Sequence, residues 1–297
     1  MIAISGASGN LGRMTAELVG ERGGASGGLV LATRHPEVVS GLVPGAEARL
    51  ADFNDPETLR AAFAGVTRLL IISTDTVGTR SAQHVAAIDA AREVGVEHVI
   101  YTSMLSPAPP NPALIADSHW ATEECLRASG LDYTILRFSL YSDFQVFEAA
   151  DALASGRFVH NRGAGGCSYI ARSDCALVSA VVATGDGHQG MTYELTGPES
   201  LDATRLAALY SEVGGRTVEA VPVGDDELLH LLDADAGTDG HVQYGAALAV
   251  SLGRAIREDN FSAVTTTVKD LTATAPRTVH SQLAESAERL RLVASTS

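Results

Sequence analysis

Three glycines, Gly6, Gly9 and Gly12, recur at every third position of "SGASGNLGR", directly after the apolar run Ile2-Ala3-Ile4. A turn needs one glycine and a helix start needs none, so this spacing suits a large anion lying against bare backbone. Gly6 turns the chain out of a strand, Gly9 admits close approach of a pyrophosphate, and Gly12 lets the next helix pack tightly. Ser8, Asn10 and Leu11 complete the loop, and the helix start offers unpaired N–H groups and a positive dipole end. The second apolar run ends in "LVLATRHP". Arg34 there stands about 20 residues beyond the glycines, where an acidic residue would hold a ribose 2′-hydroxyl and an arginine suits a 2′-phosphate. The cofactor expected is NADPH, with NADH the second candidate. In "ADFND", Asp52 is expected to hydrogen-bond adenine and Phe53 to stack on it, although such a stretch is also turn chemistry.

The elements that must position these residues follow a rhythm. Short apolar runs at 2–4, 29–32, 69–72, 98–101 and 133–136, with a weaker one at 48–50, alternate with helical spacing at 11–19, 56–63, 82–94 and 118–128. That is the pattern of right-handed parallel βαβ units with helices on both sheet faces. The fold class expected is α/β, a Rossmann-type doubly wound parallel sheet with a smaller mixed α/β C-terminal domain. The division is expected as residues 1–150 and 151–297, with 188–200 returning to the main sheet. In the second part, "ASGRFVHNRGAGGCSYIARSD" reads as two strands around a loop and "MTYELTG" as another strand. "LDATRLAALYSEVGG" reads as a helix capped by glycine, "DADAGTDGH" as a loop, and 282–292 as a terminal helix.

Bulk composition excludes several classes. Lys and Arg number 21 against 36 Asp and Glu, a formal charge of −15, which repels nucleic acid and anionic membrane surfaces. Three scattered cysteines form neither a disulfide framework nor a metal set, so no metal is expected. Apolar runs are far below the roughly 20 residues a membrane span needs. A strand starting at residue 2 with no leader pattern predicts a cytoplasmic protein, as monomer or homodimer, acting on a small molecule.

In an open α/β sheet the ligand lies beyond the carboxyl ends of the strands. Those ends carry Ser73 and Thr74, then Tyr101 and Ser103, then Arg137, Phe138 and Tyr141. Taken in order, "GASGNLGR", "ATRHP", "ADFND", "LLIIST", "YTSML", "ADSHWATEE" and "YTILRFSLYSDF" resemble the NmrA-like atypical short-chain dehydrogenase/reductases over essentially the whole chain. The resemblance implies NADPH binding, an acceptor cleft between two domains, and hydride transfer to a quinone or similar conjugated aromatic acceptor. Ser73 and Thr74 would then lie along the nicotinamide, with Tyr101, Ser103 and His119 as catalytic candidates and Phe138 and Tyr141 against the substrate.

Two departures matter. Where ordinary short-chain dehydrogenases carry a Tyr-x-x-x-Lys pair, this chain has "HWATE", His119 to Glu123, an arrangement shared with reductases of the NmrA-like group. An alkoxide product needs a positioned acid. A hydroquinone anion, with a pKa near the roughly 10 of a phenol, does not, so a quinone-like acceptor tolerates the loss. Phe138 replaces an asparagine that relatives carry after the arginine, which exchanges a polar contact for an aromatic wall. Competing roles stay open: His119 in an i,i+4 pair with Glu123, Tyr101 and Ser103 in turn hydrogen bonds, and Arg137 in a structural ion pair. A non-catalytic NADP-binding redox sensor and a natural-product tailoring reductase are the alternative functions.

Overall fold

The computed structural model describes residues 1–76, 78–233 and 240–296. Seven parallel strands form the main sheet: β1 (Ile2–Ser5), β2 (Leu29–Thr33), β3 (Glu47–Leu50), β4 (Arg68–Ile71), β5 (His98–Met104), β6 (Asp132–Phe138) and β8 (Met191–Leu195). Their order is β3-β2-β1-β4-β5-β6-β8, a Rossmann-type sheet. The winding reverses between β1 and β4, and such a switch point opens a crevice at the carboxyl ends.

The strands are buried on both sides, which is why they read as unbroken apolar runs. Side chains alternate between two cores. Ile4, Leu70, Ile100 and Leu136 face α1 (Asn10–Glu21) and α7 (Arg172–Thr184). Leu69, Ile71, Val99, Tyr101 and Ile135 face α3 (Pro56–Phe63), α4 (Arg80–Glu93) and α5 (Ala116–Ala128). A short α2 (Pro36–Val39) follows β2.

A third core gathers the C-terminal elements. They are α6 (Gln145–Ser155), α8 (Ala203–Gly214), α10 (Gly240–Arg257), α12 (Val279–Glu285) and α13 (Ala287–Thr296), with β7 (Arg157–His160) paired in parallel to β9 (Glu219–Pro222). The α9 helix (Asp225–Asp233) packs on α10, whereas α11 (Thr267–Thr272) joins α7 through Val268 in the first of the two sheet cores. The α8 helix starts at Asp202, whose carboxylate accepts the Arg205 N–H at 2.7 Å, and ends where Gly215 takes φ +71°. The chain crosses between regions more than once: α7 packs on α1, and β8 rejoins the sheet beside β6.

Two expectations change and a third is not reached. The second strand across "CSYIARSD" does not form; Cys167 and Ile170 make only isolated bridges, to Leu201 and Tyr141, because the chain turns at Ala171 to begin α7. The single terminal helix is two, broken at Ser286. The loop expected over 233–241 falls, apart from its ends, outside the described residues.

Candidate functional site

One cleft of about 1170 Å³ runs along the carboxyl ends of the strands, from the glycine loop to α9 and α10. At its head, Gly6 takes φ +69° and its carbonyl accepts the Gly9 N–H at 3.0 Å. Gly9 caps α1 with no side-chain bond and no acidic residue follows in the first turn, so the positive helix end stays open to an anion. A Cβ at Gly12 would sit 2.3 Å from the Gly6 carbonyl oxygen; no side chain fits there. Ser8 is steadied by a 2.8 Å hydrogen bond between its hydroxyl and that of Thr33. Asn10 and Leu11 also line the cleft. This cradle fits a pyrophosphate.

Arg34 is exposed at the cleft rim and has no partner among the described residues, which leaves its guanidinium free for an anion. Asp52 accepts both the backbone and side-chain N–H of Asn54, at 2.9 and 3.2 Å. One carboxylate oxygen therefore serves the turn and the other remains. Phe53 is half-buried, edge-on to His84 with ring centroids 6.4 Å apart, and one border of it lines the cleft. Ser73 donates its backbone N–H to the Thr102 hydroxyl at 2.9 Å, and its own hydroxyl stays free among the described residues. Thr74 is committed: its hydroxyl donates to Gln83 at 2.8 Å and its backbone N–H to Nε2 of His84 at 3.0 Å.

The three catalytic candidates separate. Tyr101 does not face the cleft. Strand alternation turns it with Val99 toward α4 and α5, where it is fully buried and its hydroxyl lies 2.8 Å from His119 Nδ1. Ser103 lines the cleft, yet its hydroxyl donates to Glu123 at 2.7 Å. His119 lines the cleft too, with Nδ1 turned inward to Tyr101 and Nε2 carrying no partner among the described residues. Burial, then the Arg80 cation, holds the His119 pKa well below the usual histidine range, so the ring is neutral at physiological pH.

The i,i+4 pair between His119 and Glu123 is absent. Glu123, with no exposed surface, takes Arg137 at 3.0 and 2.7 Å, Arg127 at 2.8 Å and the Ser103 hydroxyl. Arg137 is thus an ion-pair residue under the cleft floor.

Phe138 is buried but contributes to the cleft wall. Tyr141 lies beside it, with the Arg172 guanidinium 4.8 Å over its ring and Phe144 at 6.5 Å. Burial raises the Tyr141 pKa, so its hydroxyl stays protonated. Beyond them the cleft becomes apolar, walled by Phe147, Leu228, Leu231, Leu232 and Leu252. Phe144, Phe147, Leu231 and Leu232, all among the exposed large apolar side chains, gather at this one opening.

Sequence reasoning missed Arg80, Gln83 and His84 on α4. Arg80 donates to the Thr74 carbonyl at 2.6 Å, and Gln83 bridges Thr74 to Asn54. The available signal was "QH" amid the alanines of "SAQHVAAIDAA", two polar side chains at buried helical positions.

A doubly wound sheet with a bare anion cradle at its switch point defines a dinucleotide-binding protein. The chain belongs to the NAD(P)H-binding family, whose model matches residues 6–184. It is 38% identical over 219 residues to quinone oxidoreductase 2 of Escherichia coli, covering 73% of this chain and 76% of that protein. The crystal structure of an Escherichia coli NADPH-dependent quinone oxidoreductase complexed with NADPH superposes with a TM-score of 0.89 at 32% identity, over 98% of this chain and 99% of that one. The Citrobacter triphenylmethane reductase complexed with NADP(H) superposes with a TM-score of 0.88, also at 32% identity, over 97% and 100%. Among the described residues no helix is long and apolar enough to cross a membrane.

Proposed function

We propose that this protein is an NADPH-dependent reductase that passes hydride to a quinone or a similar conjugated aromatic acceptor. The observation that carries this reading is the continuity of the cleft, which leads from the cradle at Gly6, Gly9 and Gly12 past His119 to an aromatic and aliphatic arm. The relatives support it, since the quinones and triphenylmethane dyes in their names are both conjugated electron acceptors.

When bound, NADPH supplies the hydride. The chain holds the cofactor: amides of 8–12 on the pyrophosphate, Arg34 on the 2′-phosphate, Asp52 and Phe53 at the adenine, Ser73 near the nicotinamide. Phe138 and Tyr141 form the wall on which a flat acceptor stacks. Hydride delivery leaves negative charge on a distant acceptor atom, and His119 Nε2 and the Tyr141 hydroxyl are the neutral groups available to it. A phenolate-like product with a pKa near roughly 10 takes its proton from water, so no Tyr/Lys pair is required. Phe144, Phe147, Leu231 and Leu232 bring exposed apolar surface together at the cleft mouth, which suits an apolar substrate entering there.

The test mixes purified protein with NADPH and a naphthoquinone while following absorbance of the reduced nicotinamide. Steady cofactor oxidation that needs both protein and quinone supports the reading. Tight NADPH binding without turnover across several quinones and triphenylmethane dyes overturns it.

A further inference from the structure

Four buried side chains behind the cleft carry hydrogen bonds whose direction can be assigned from one end. The Thr74 backbone N–H can only donate, and it points at His84 Nε2 from 3.0 Å. His84 is therefore neutral, with its proton on Nδ1. That Nδ1–H faces the Thr122 hydroxyl oxygen at 3.0 Å and the Tyr101 hydroxyl oxygen at 3.3 Å. Thr122 spends its own proton on the Ser118 carbonyl at 2.7 Å, so its oxygen is an acceptor. Tyr101 is sealed from solvent and faces a protonated nitrogen on the His84 side. The nearby Thr122 oxygen already takes the His84 N–H, and the acceptor that the Tyr101 O–H meets in hydrogen-bonding geometry is His119 Nδ1, at 2.8 Å. An Nδ1 that accepts leaves the His119 proton on Nε2.

We propose that His84, Thr122 and Tyr101 are positioning residues that lock His119 as the Nε2–H tautomer, so that it meets the acceptor as a fixed hydrogen-bond donor. The direction is set by the amide of Thr74, in the loop that also carries Ser73. The loop after β4 thereby dictates which atom His119 presents, two side chains away. An acceptor with a carbonyl oxygen or another lone-pair atom at that point is matched, and one offering only a donor meets two protons face to face. This specificity role rests on the reductase reading above, whereas the tautomer lock does not.

The experiment is long-range proton–nitrogen NMR on the full-length protein with 15N-labelled histidine, with signals assigned by His84→Gln and His119→Gln. Wild type is expected to show His119 protonated at Nε2 and His84 at Nδ1. Tyr101→Phe keeps the ring in its apolar pocket and removes the donor, so the His119 signals move toward a mixture of tautomers. With naphthoquinone, kcat falls about tenfold, the scale of one hydrogen bond, while the KM for NADPH holds. A wild-type His119 protonated at Nδ1, or one unmoved by Tyr101→Phe, overturns the lock. An unchanged kcat alongside a moved tautomer overturns the specificity role. Should Tyr101→Phe fail to fold, the wild-type spectrum decides the lock by itself, since His119 protonated at Nδ1 overturns it. Absence of turnover with any acceptor in wild type counts against the reductase reading alone, since the spectra decide the lock.

Discussion

The two ends of the cleft hold their ligand-facing groups by different means. Around Gly6, Gly9 and Gly12 it is backbone that faces the cleft, and at Gly12 a side chain is excluded because its Cβ would strike the Gly6 carbonyl. Around His119 the backbone recedes. Side chains from α4, β5 and α5 are tied to one another and back to the loop after β4. A backbone cradle tolerates almost no change at its glycines but reads only phosphate. A side-chain lattice can be altered one group at a time and sets which polar atoms face that part of the cleft.

The largest effect should come from Gly12→Ala. The added methyl group meets backbone at 2.3 Å with no flexible side chain to move, an overpacking cost of about 3 kcal/mol. Gly9→Ala sharpens the contrast. Its Cβ would meet only the Gly6 oxygen, at 3.4 Å, an ordinary contact. Thermal melting should fall sharply for Gly12→Ala and little for Gly9→Ala, while fluorescence titration shows weakened NADPH binding for both. Equal melting temperatures would mean the helix can slide and the cradle is less rigid than its geometry indicates.

A smaller loss is expected from Arg34→Ala. Removing an otherwise unpartnered guanidinium from a 2′-phosphate should cost about 2 kcal/mol, roughly thirtyfold in Kd. NADH, which lacks that phosphate, should bind unchanged. Parallel titrations with both cofactors check it, and equal losses would remove Arg34 from the phosphate.

This contrast also explains what the chain betrays before it is folded. That Gly6, Gly9, Gly12 and Arg34 line one cleft was legible because a backbone cradle is written in local spacing, glycines at fixed offsets from a strand and an arginine one strand later. The sheet was legible for a related reason, since strands buried on both faces leave unbroken apolar runs. The side-chain lattice was not. The apolar run at 98–101 places Tyr101 at a strand end, but β5 continues to Met104, so Tyr101 lies mid-strand and the pleat turns it toward α5 rather than the cleft. His119 finds Tyr101 rather than Glu123, four residues along its own helix, because Arg127 and Arg137 already occupy that carboxylate. The α7 helix escaped notice because eight of its thirteen residues are buried, which leaves little amphipathic contrast.

The smallest effect separates the two ends by acidity. Burial, then the Arg80 cation, lowers the His84 pKa from 6.5 to about 3, and His119 moves in the same direction. Both are neutral when folded, while the unfolded chain takes up protons near pH 6.5. Between pH 6.5 and about 3 the unfolded state therefore binds more protons, and stability falls as pH falls. Each such histidine contributes about 1 kcal/mol per pH unit in that window. His84→Gln, whose side-chain oxygen still accepts from the Thr74 amide, deletes one of these protonations. Denaturant melts of wild type and variant at pH 7.5 and 5.5 should show the wild type losing about 1 kcal/mol more than the variant. Equal losses would mean that water or a proton reaches His84 in the folded state, and a lattice that leaks in this way could not hold His119 to a single tautomer.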